Sequence, residues 1–142
     1  MSELSPATQP EFWADFNDRP FHKYLGLRLI ERTPNYSKLE LRRTESTPTG
    51  IGGSVHGGVL ATLVDMTAVA AVFAGLQEGE QPAGTADLQL SYLRQTKGEV
   101  VTSEGRVLKR GRQLATIEVK VTDDTGRLCC SGRVLYAFRA PS

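Results

Sequence analysis

Charge of one sign is the first thing this chain lacks. Its 142 residues carry 17 Lys and Arg against 16 Asp and Glu, a formal net charge of +1. No global field therefore draws it to nucleic acid or to an anionic membrane surface. Histidine and cysteine are scarce as well: His22, His56, Cys129 and Cys130 are all there are. With no Cys-x-x-Cys spacing, no metal site is expected. Cys129 and Cys130 are adjacent, and neighbours on a strand face opposite sides, which predicts one buried and one more exposed thiol in a reducing compartment. The N-terminal stretch MSELSPATQPEFWADF has neither a basic leader nor a continuous apolar core. A signal peptide is not expected, and the cytoplasm is the expected location. No repeat or low-complexity stretch divides the chain, so a single domain over 1–142 is expected, long enough to bury a core without staples.

One long apolar run is present. In Gly50 to Ala74, GIGGSVHGGVLATLVDMTAVAAVFA, the first nine residues hold five glycines, and the only acid or base after His56 is Asp65. The glycines leave the backbone free to approach a ligand closely. A helix over the remainder would be apolar on nearly every face and must be enclosed by other structure. Val59 to Leu76 has the length of a membrane span, but a charge at its centre costs about 3 kcal/mol on insertion, so a core helix is the better reading. Asp65 then has two readings. Burial would raise its pKa towards the range of a useful general base; alternatively, Thr62, Thr67 or backbone donors satisfy it and it only fixes the helix.

Around this helix the pattern is mostly that of strands. Thr8-Gln9-Pro10-Glu11 resembles a capping box, predicting a short helix through Phe12, Trp13 and Phe16 that ends at Asn17-Asp18-Arg19-Pro20, so that 1–20 form an N-terminal helical extension. From Tyr24 the pattern changes: Leu25, Leu27 and Leu29 alternate with Gly26, Arg28 and Ile30, Thr33-Pro34-Asn35 makes a turn, and Ser37 to Arg43 alternates again, a β-hairpin. Thr44 to Gly53 is a loop leading into the helix, and Glu78 to Gly84 a polar loop leaving it. Four strands follow, over Thr85 to Leu93, Val100 to Lys109, Gln113 to Thr122 and Leu128 to Phe138, with connections short enough for antiparallel neighbours. An α+β domain, one curved antiparallel sheet around one long helix, satisfies this order.

Four stretches within Phe21 to Phe138 resemble the hotdog fold, and within it the acyl-CoA thioesterases of the phenylacetate-degradation and 4-hydroxybenzoyl-CoA type. The most specific is His56-Gly57-Gly58 followed by Asp65 in HGGVLATLVD. The others are Thr85 to Arg94 (TADLQLSYLR), the Gly111-Arg112 turn, and Tyr24-Leu25-Gly26. The resemblance implies hydrolysis of an acyl-CoA thioester with no cofactor beyond the CoA of the substrate. It implies that the Gly57 N–H, at the positive end of the helix dipole, binds the thioester carbonyl. Asp65 would activate water, or attack directly through an anhydride; Thr85 would orient that water, and His56 would shape the loop or join the chemistry. Relatives that place Asn or Gln seven residues before the first glycine of the pair gain a further carbonyl donor; here Gly50 stands there, with Thr49 and Ser54 the nearest polar substitutes. The acyl group would lie against Met66, Val69, Phe73 and Tyr92. The phosphates of CoA would meet Lys109, Arg110 and Arg112, in a stretch from Arg94 to Arg112 with six basic and two acidic residues, with a small contribution from the amides of Gly57 and Gly58.

Gly57 and Asp65 lie eight residues apart, so one helix separates them by about 12 Å and turns them by about 80°. Both cannot reach one thioester. Two antiparallel copies of the helix across a twofold axis bring Gly57 of one to Asp65 of the other, which predicts a homodimer or a dimer of dimers. Two other activities fit less well. Hotdog enoyl-thioester hydratases carry a histidine five residues after the acid, where this chain has Ala70. A non-catalytic acyl-thioester binding module would explain Gly50 but not the retention of Asp65 with Thr85.

Overall fold

The computed structural model describes residues 10–139. Six strands, β1 (Leu27–Thr33), β2 (Tyr36–Arg42), β3 (Gln81–Tyr92), β4 (Val100–Arg110), β5 (Leu114–Thr122) and β6 (Leu128–Arg139), form one antiparallel sheet in the order β1-β2-β4-β5-β6-β3. Helix α3 (Gly57–Ala74) lies on one face of it, and two short helices, α1 (Pro10–Ala14) and α2 (Pro20–Leu25), precede the sheet. This is the architecture expected from the order of patterns. Thr8 and Gln9 of the expected capping box fall outside the described residues.

Alternation explains the strands. Ser37, Leu39 and Leu41 of β2, Val101, Ser103 and Gly105 of β4, and Ala115, Ile117, Val119 and Val121 of β5 turn inward and are buried, while their neighbours point away. Helix α3 sits mainly on these three strands. Close approach is possible because Gly105 has no side chain: a Cβ there would stand 3.0 Å from the Thr67 methyl. Ser37 Oγ donates to the Thr67 carbonyl at 2.6 Å, and Thr67 Oγ1 donates to the Leu63 carbonyl at 2.6 Å and lies 2.8 Å from Ser103 Oγ. These buried polar groups fix the helix against the sheet in rotation as well as in height.

Four expectations need correction. Tyr24 and Leu25 are helical, not the start of a strand: Pro20 occupies the first turn of α2, and Gly26 ends it in the left-handed conformation at φ 85°, its N–H donating to the carbonyls of His22 and Lys23. Strand β3 begins at Gln81 rather than Thr85, because a bulge between Pro82 and Gly84 lets the residues expected to form a loop pair with β6. Cys129 and Cys130 are both buried. Val121 pairs with Cys130 and Thr122 with Leu128, so Cys129 is a bulge residue released from strict alternation, and burial pushes the Cys130 thiol up to about 11. Finally, α3 is not enclosed on all sides. Although its length and composition would suit a membrane span and more than half of it is buried, Ala61, Thr62, Asp65, Met66 and Val69 form a half-open stripe at three- and four-residue spacing.

Candidate active site

Helix α3 begins where the glycine-rich segment ends, and its first amides are accounted for one by one. His56 is the N-cap: its carbonyl accepts from Val59 and Leu60, at 3.0 and 3.1 Å, and its Nδ1 accepts from the Gly58 N–H at 2.9 Å. Among the described residues nothing accepts from the Gly57 N–H. The first-turn amide that lacks a partner is therefore the one at the positive end of an 18-residue helix. Tyr92, arriving from the end of β3, lays its ring beside Gly57 and donates its hydroxyl to the Gly57 carbonyl at 2.7 Å. Desolvation raises the pKa of that phenol, which favours the neutral donor.

An open groove of about 440 Å³ runs over this helix start. Gly50, Ile51, Ser54, His56, Gly57 and Tyr92 line one part of it, and Arg94, Gln95 and Thr96 another. Ser54 does not replace the carboxamide that Gly50 lacks, since its Oγ donates to the Ile51 carbonyl at 2.6 Å. Gln95 is the carboxamide of the groove. Nothing in the patterning pointed to it, because it lies just past the alternating residues of β3.

Two turns along α3, Asp65 accepts a hydrogen bond from Thr85 Oγ1 at 2.6 Å. Thr62 and Thr67 are not its partners; each donates back to its own helix, to the carbonyls of Gly58 and Leu63. The bulge between Thr85 and Asp87 matters here. It resets the alternation of β3 so that Thr85 pairs with Tyr136 and Leu88 with Val134, bringing both onto the face that carries α3. Asp65 is half-buried, not sunk in apolar surroundings as the patterning suggested, because α3 leans mainly over β2, β4 and β5 and covers β3 only in part. Its charge nevertheless reaches the buried Tyr136, whose hydroxyl is pushed up to about 12, first by burial and then by Asp65.

The remaining residues separate into those near this centre and those turned from it. Met66 and Val69 continue the half-open stripe beyond Asp65. Phe73 is turned into an aromatic cluster, stacked on Phe12 at 4.0 Å and edge-on to Tyr136 at 6.4 Å. Tyr92 belongs to the helix start rather than to the Met66 side. Gly58 has no free amide, because His56 takes it. Arg110 is not available to a phosphate: its guanidinium pairs with Glu80 at 2.9 Å, bonds Asn35 Oδ1 at 2.8 Å, and donates to the Val72 carbonyl at 3.0 Å, closing the far end of α3. Lys109 and Arg112 are exposed beside it, towards that far end rather than beside Gly57. Among the described residues no cluster of His, Cys, Asp and Glu could hold a metal ion.

The unpartnered helix-start amide and the threonine-held carboxylate are groups that can polarise a carbonyl and position water. A family model described as the thioesterase superfamily matches residues 52–130. Human acyl-coenzyme A thioesterase 13 is 33% identical over 136 residues, which cover 94% of this chain and 95% of the human protein. The crystal structure of zebrafish thioesterase superfamily member 2 superimposes with a TM-score of 0.77 at 30% identity, covering 96% of this chain and 100% of the other. The proofreading thioesterase EntH of Klebsiella pneumoniae is 34% identical over 82 residues, 58% of this chain and 59% of that protein. Fold, site chemistry and relatives agree: the chain belongs to the thioesterase superfamily and is a thioester hydrolase of the hotdog fold.

Proposed function

We propose that the protein hydrolyses acyl-CoA thioesters at a site shared between two copies of the chain. In this reading the Gly57 N–H of one copy binds the thioester oxygen and stabilises the oxyanion, helped by the helix dipole. Asp65 of the partner subunit, held by the partner subunit's Thr85, takes a proton from the attacking water. The tetrahedral intermediate then collapses, breaking the C–S bond and releasing the acid and the thiol of CoA. Two catalytic groups must meet one carbonyl, and about 12 Å of helix separates them within a chain. An antiparallel partner removes that separation.

The observation that carries this reading is the Gly57 N–H without an acceptor on a helix that also presents Asp65 to a half-open face. The acyl group would extend along Met66 and Val69, with the Phe12–Phe73 stack beyond them. The human relative's name supports a CoA thioester as the substrate class. Release of free thiol from a panel of aryl, short-, medium- and long-chain acyl-CoAs tests it. Asp65→Asn is expected to lower turnover at least about 100-fold, the low end of what a positioned acid–base group contributes. Thr85→Ala should lose less, since it leaves the carboxylate in place without its anchor. Full activity in Asp65→Asn would refute the assignment.

A further inference from the structure

The open stripe of α3 has an end. Thr62, Asp65, Met66 and Val69 follow one another at three- and four-residue spacing and are half-buried, but the next member of the stripe, Phe73, is buried. What covers it comes from far away in the chain. Phe12 of α1 stacks on Phe73, with ring centroids 4.0 Å apart and planes 15° apart, while Tyr136 of β6 meets Phe73 edge-on at 6.4 Å. Phe12 and Tyr136 lie outside residues 52–130, so membership of the family does not by itself specify this wall.

Phe12 is held from several sides. Trp13 packs edge-on to it at 4.7 Å, and Phe16 tilts against it at 5.7 Å. Arg19 donates to the Phe12 carbonyl at 3.2 Å, and its guanidinium stands 5.1 Å from the centre of the Phe12 ring and 5.5 Å from that of Phe16. Arg32 of β1 covers the Trp13 ring at 4.2 Å. A five-residue helix has little stability of its own, so these contacts are what fix α1 and keep the Phe12 ring in place. Phe12 is nevertheless only half-buried, leaving part of its surface open at the end of the stripe.

The path that it ends has a definite length. Val69 lies four residues past Asp65 and Phe73 eight, about 6 and 12 Å along the helix axis. A thioester carbonyl at Asp65 therefore leaves its acyl group roughly two helical turns before the Phe12–Phe73 stack. Beyond Asp65 the stripe offers only Met66, Val69 and Phe73, apolar surface without an acid or a cation.

We infer that Phe12 closes the acyl path and sets its length, so that the enzyme takes uncharged acyl groups up to medium length and turns away longer ones. This rests on the acyl-CoA reading above and adds to it a substrate class and the residue that bounds it.

The test is a series of even-numbered straight-chain acyl-CoAs from butanoyl to stearoyl. In the wild type kcat/KM is expected to rise about fourfold with each methylene buried, to an optimum near octanoyl or decanoyl, and then to fall. Phe12→Ala opens the end of the path and should raise the ratio of kcat/KM for palmitoyl-CoA to that for butanoyl-CoA at least about tenfold. The ratio is read on one preparation, so any loss of folded protein cancels. Phe12→Leu, which keeps more of the wall's volume, should shift the profile the same way by less. An unchanged profile in both variants, a loss equal at every length, or a wild type as active on stearoyl-CoA as on octanoyl-CoA would overturn the assignment. A wild type that releases no thiol from any of them is the separate failure of the hydrolase reading. Binding then decides the wall by itself, because Trp13 is the single tryptophan of the chain. A hydrolysis-resistant decyl-CoA thioether should change the Trp13 emission and a methyl-CoA thioether should not; a decyl analogue that leaves the emission unchanged at saturation, or does not bind, overturns the inference.

Discussion

His22 shows how one residue can make the whole fold sensitive to acid. It is 4% exposed, its Nδ1 lies 2.7 Å from the Phe16 carbonyl and so carries the proton, and its ring packs 4.7 Å from that of Phe16. Burial is the largest influence on it and lowers its pKa below the usual 6.5, with Arg19 pushing the same way and the Phe16 carbonyl and Asp15 opposing. The unfolded chain therefore binds a proton at a pH where the folded chain still refuses it. Stability from this group is fully present above about pH 6.5 and is lost as pH falls through the folded value. Urea midpoints measured from about pH 7.5 down to about pH 5 should fall, and in His22→Asn they should fall less steeply. Thr85 shows the opposite relation between a residue and its surroundings. The family resemblance implies that it orients water, and in the single chain its hydroxyl donates to the Asp65 carboxylate. A bulge, which alternation cannot reveal, placed it there.

Among the elements, α3 was the most legible and was misjudged on one face. The glycine-rich start, the lone Asp65 and the absence of a polar face gave its position, and they gave the hairpin and the last three strands their place around it. What they could not give is which neighbour covers which side. Complete burial by the chain's own sheet was the natural inference from an all-apolar helix, but the stripe through Asp65 and Met66 stays half-open because β3 extends past the helix at the sheet edge. Basic residues were harder still. Six cations between Arg94 and Arg112 look equivalent in the sequence, whereas the folded chain divides them: Arg110 is locked at one end of α3 and Arg94 opens onto the other. Only distance in space separates those roles. Arg110 should behave as a structural residue. Its side chain and that of Glu80 are 13% and 16% exposed, and it also caps the Val72 carbonyl. Arg110→Ala should cost about 2 kcal/mol, read as a lower denaturant midpoint at unchanged slope, because Glu80 and Asn35 lose their partner. Its KM for acyl-CoA should not change.

At the scale of the molecule, the sheet ends in a strand that invites company. Among the described residues strand β3 pairs only with β6, and most of its side chains are exposed, Leu88 and Tyr92 among them. An unprotected edge of this length is a template for pairing, and the open stripe of α3 lies on the same side of the sheet as Thr85. Sedimentation equilibrium is expected to show a dimer or a tetramer, and a monomer with full activity would refute the shared site.

The rigidity of α3 has one more consequence, which concerns inheritance of function between copies. If the site is shared as proposed, Gly57→Pro removes the N–H that would bind the carbonyl, at a helix position where proline is well accommodated, and Asp65→Asn removes the proposed base; each pure protein should be inactive. Mixed within one such pair, the two lesions would fall into the same catalytic centre and leave the other centre wholly native. Co-expression of two dead proteins should therefore revive up to half of normal turnover in each hybrid, the signature of genetic complementation.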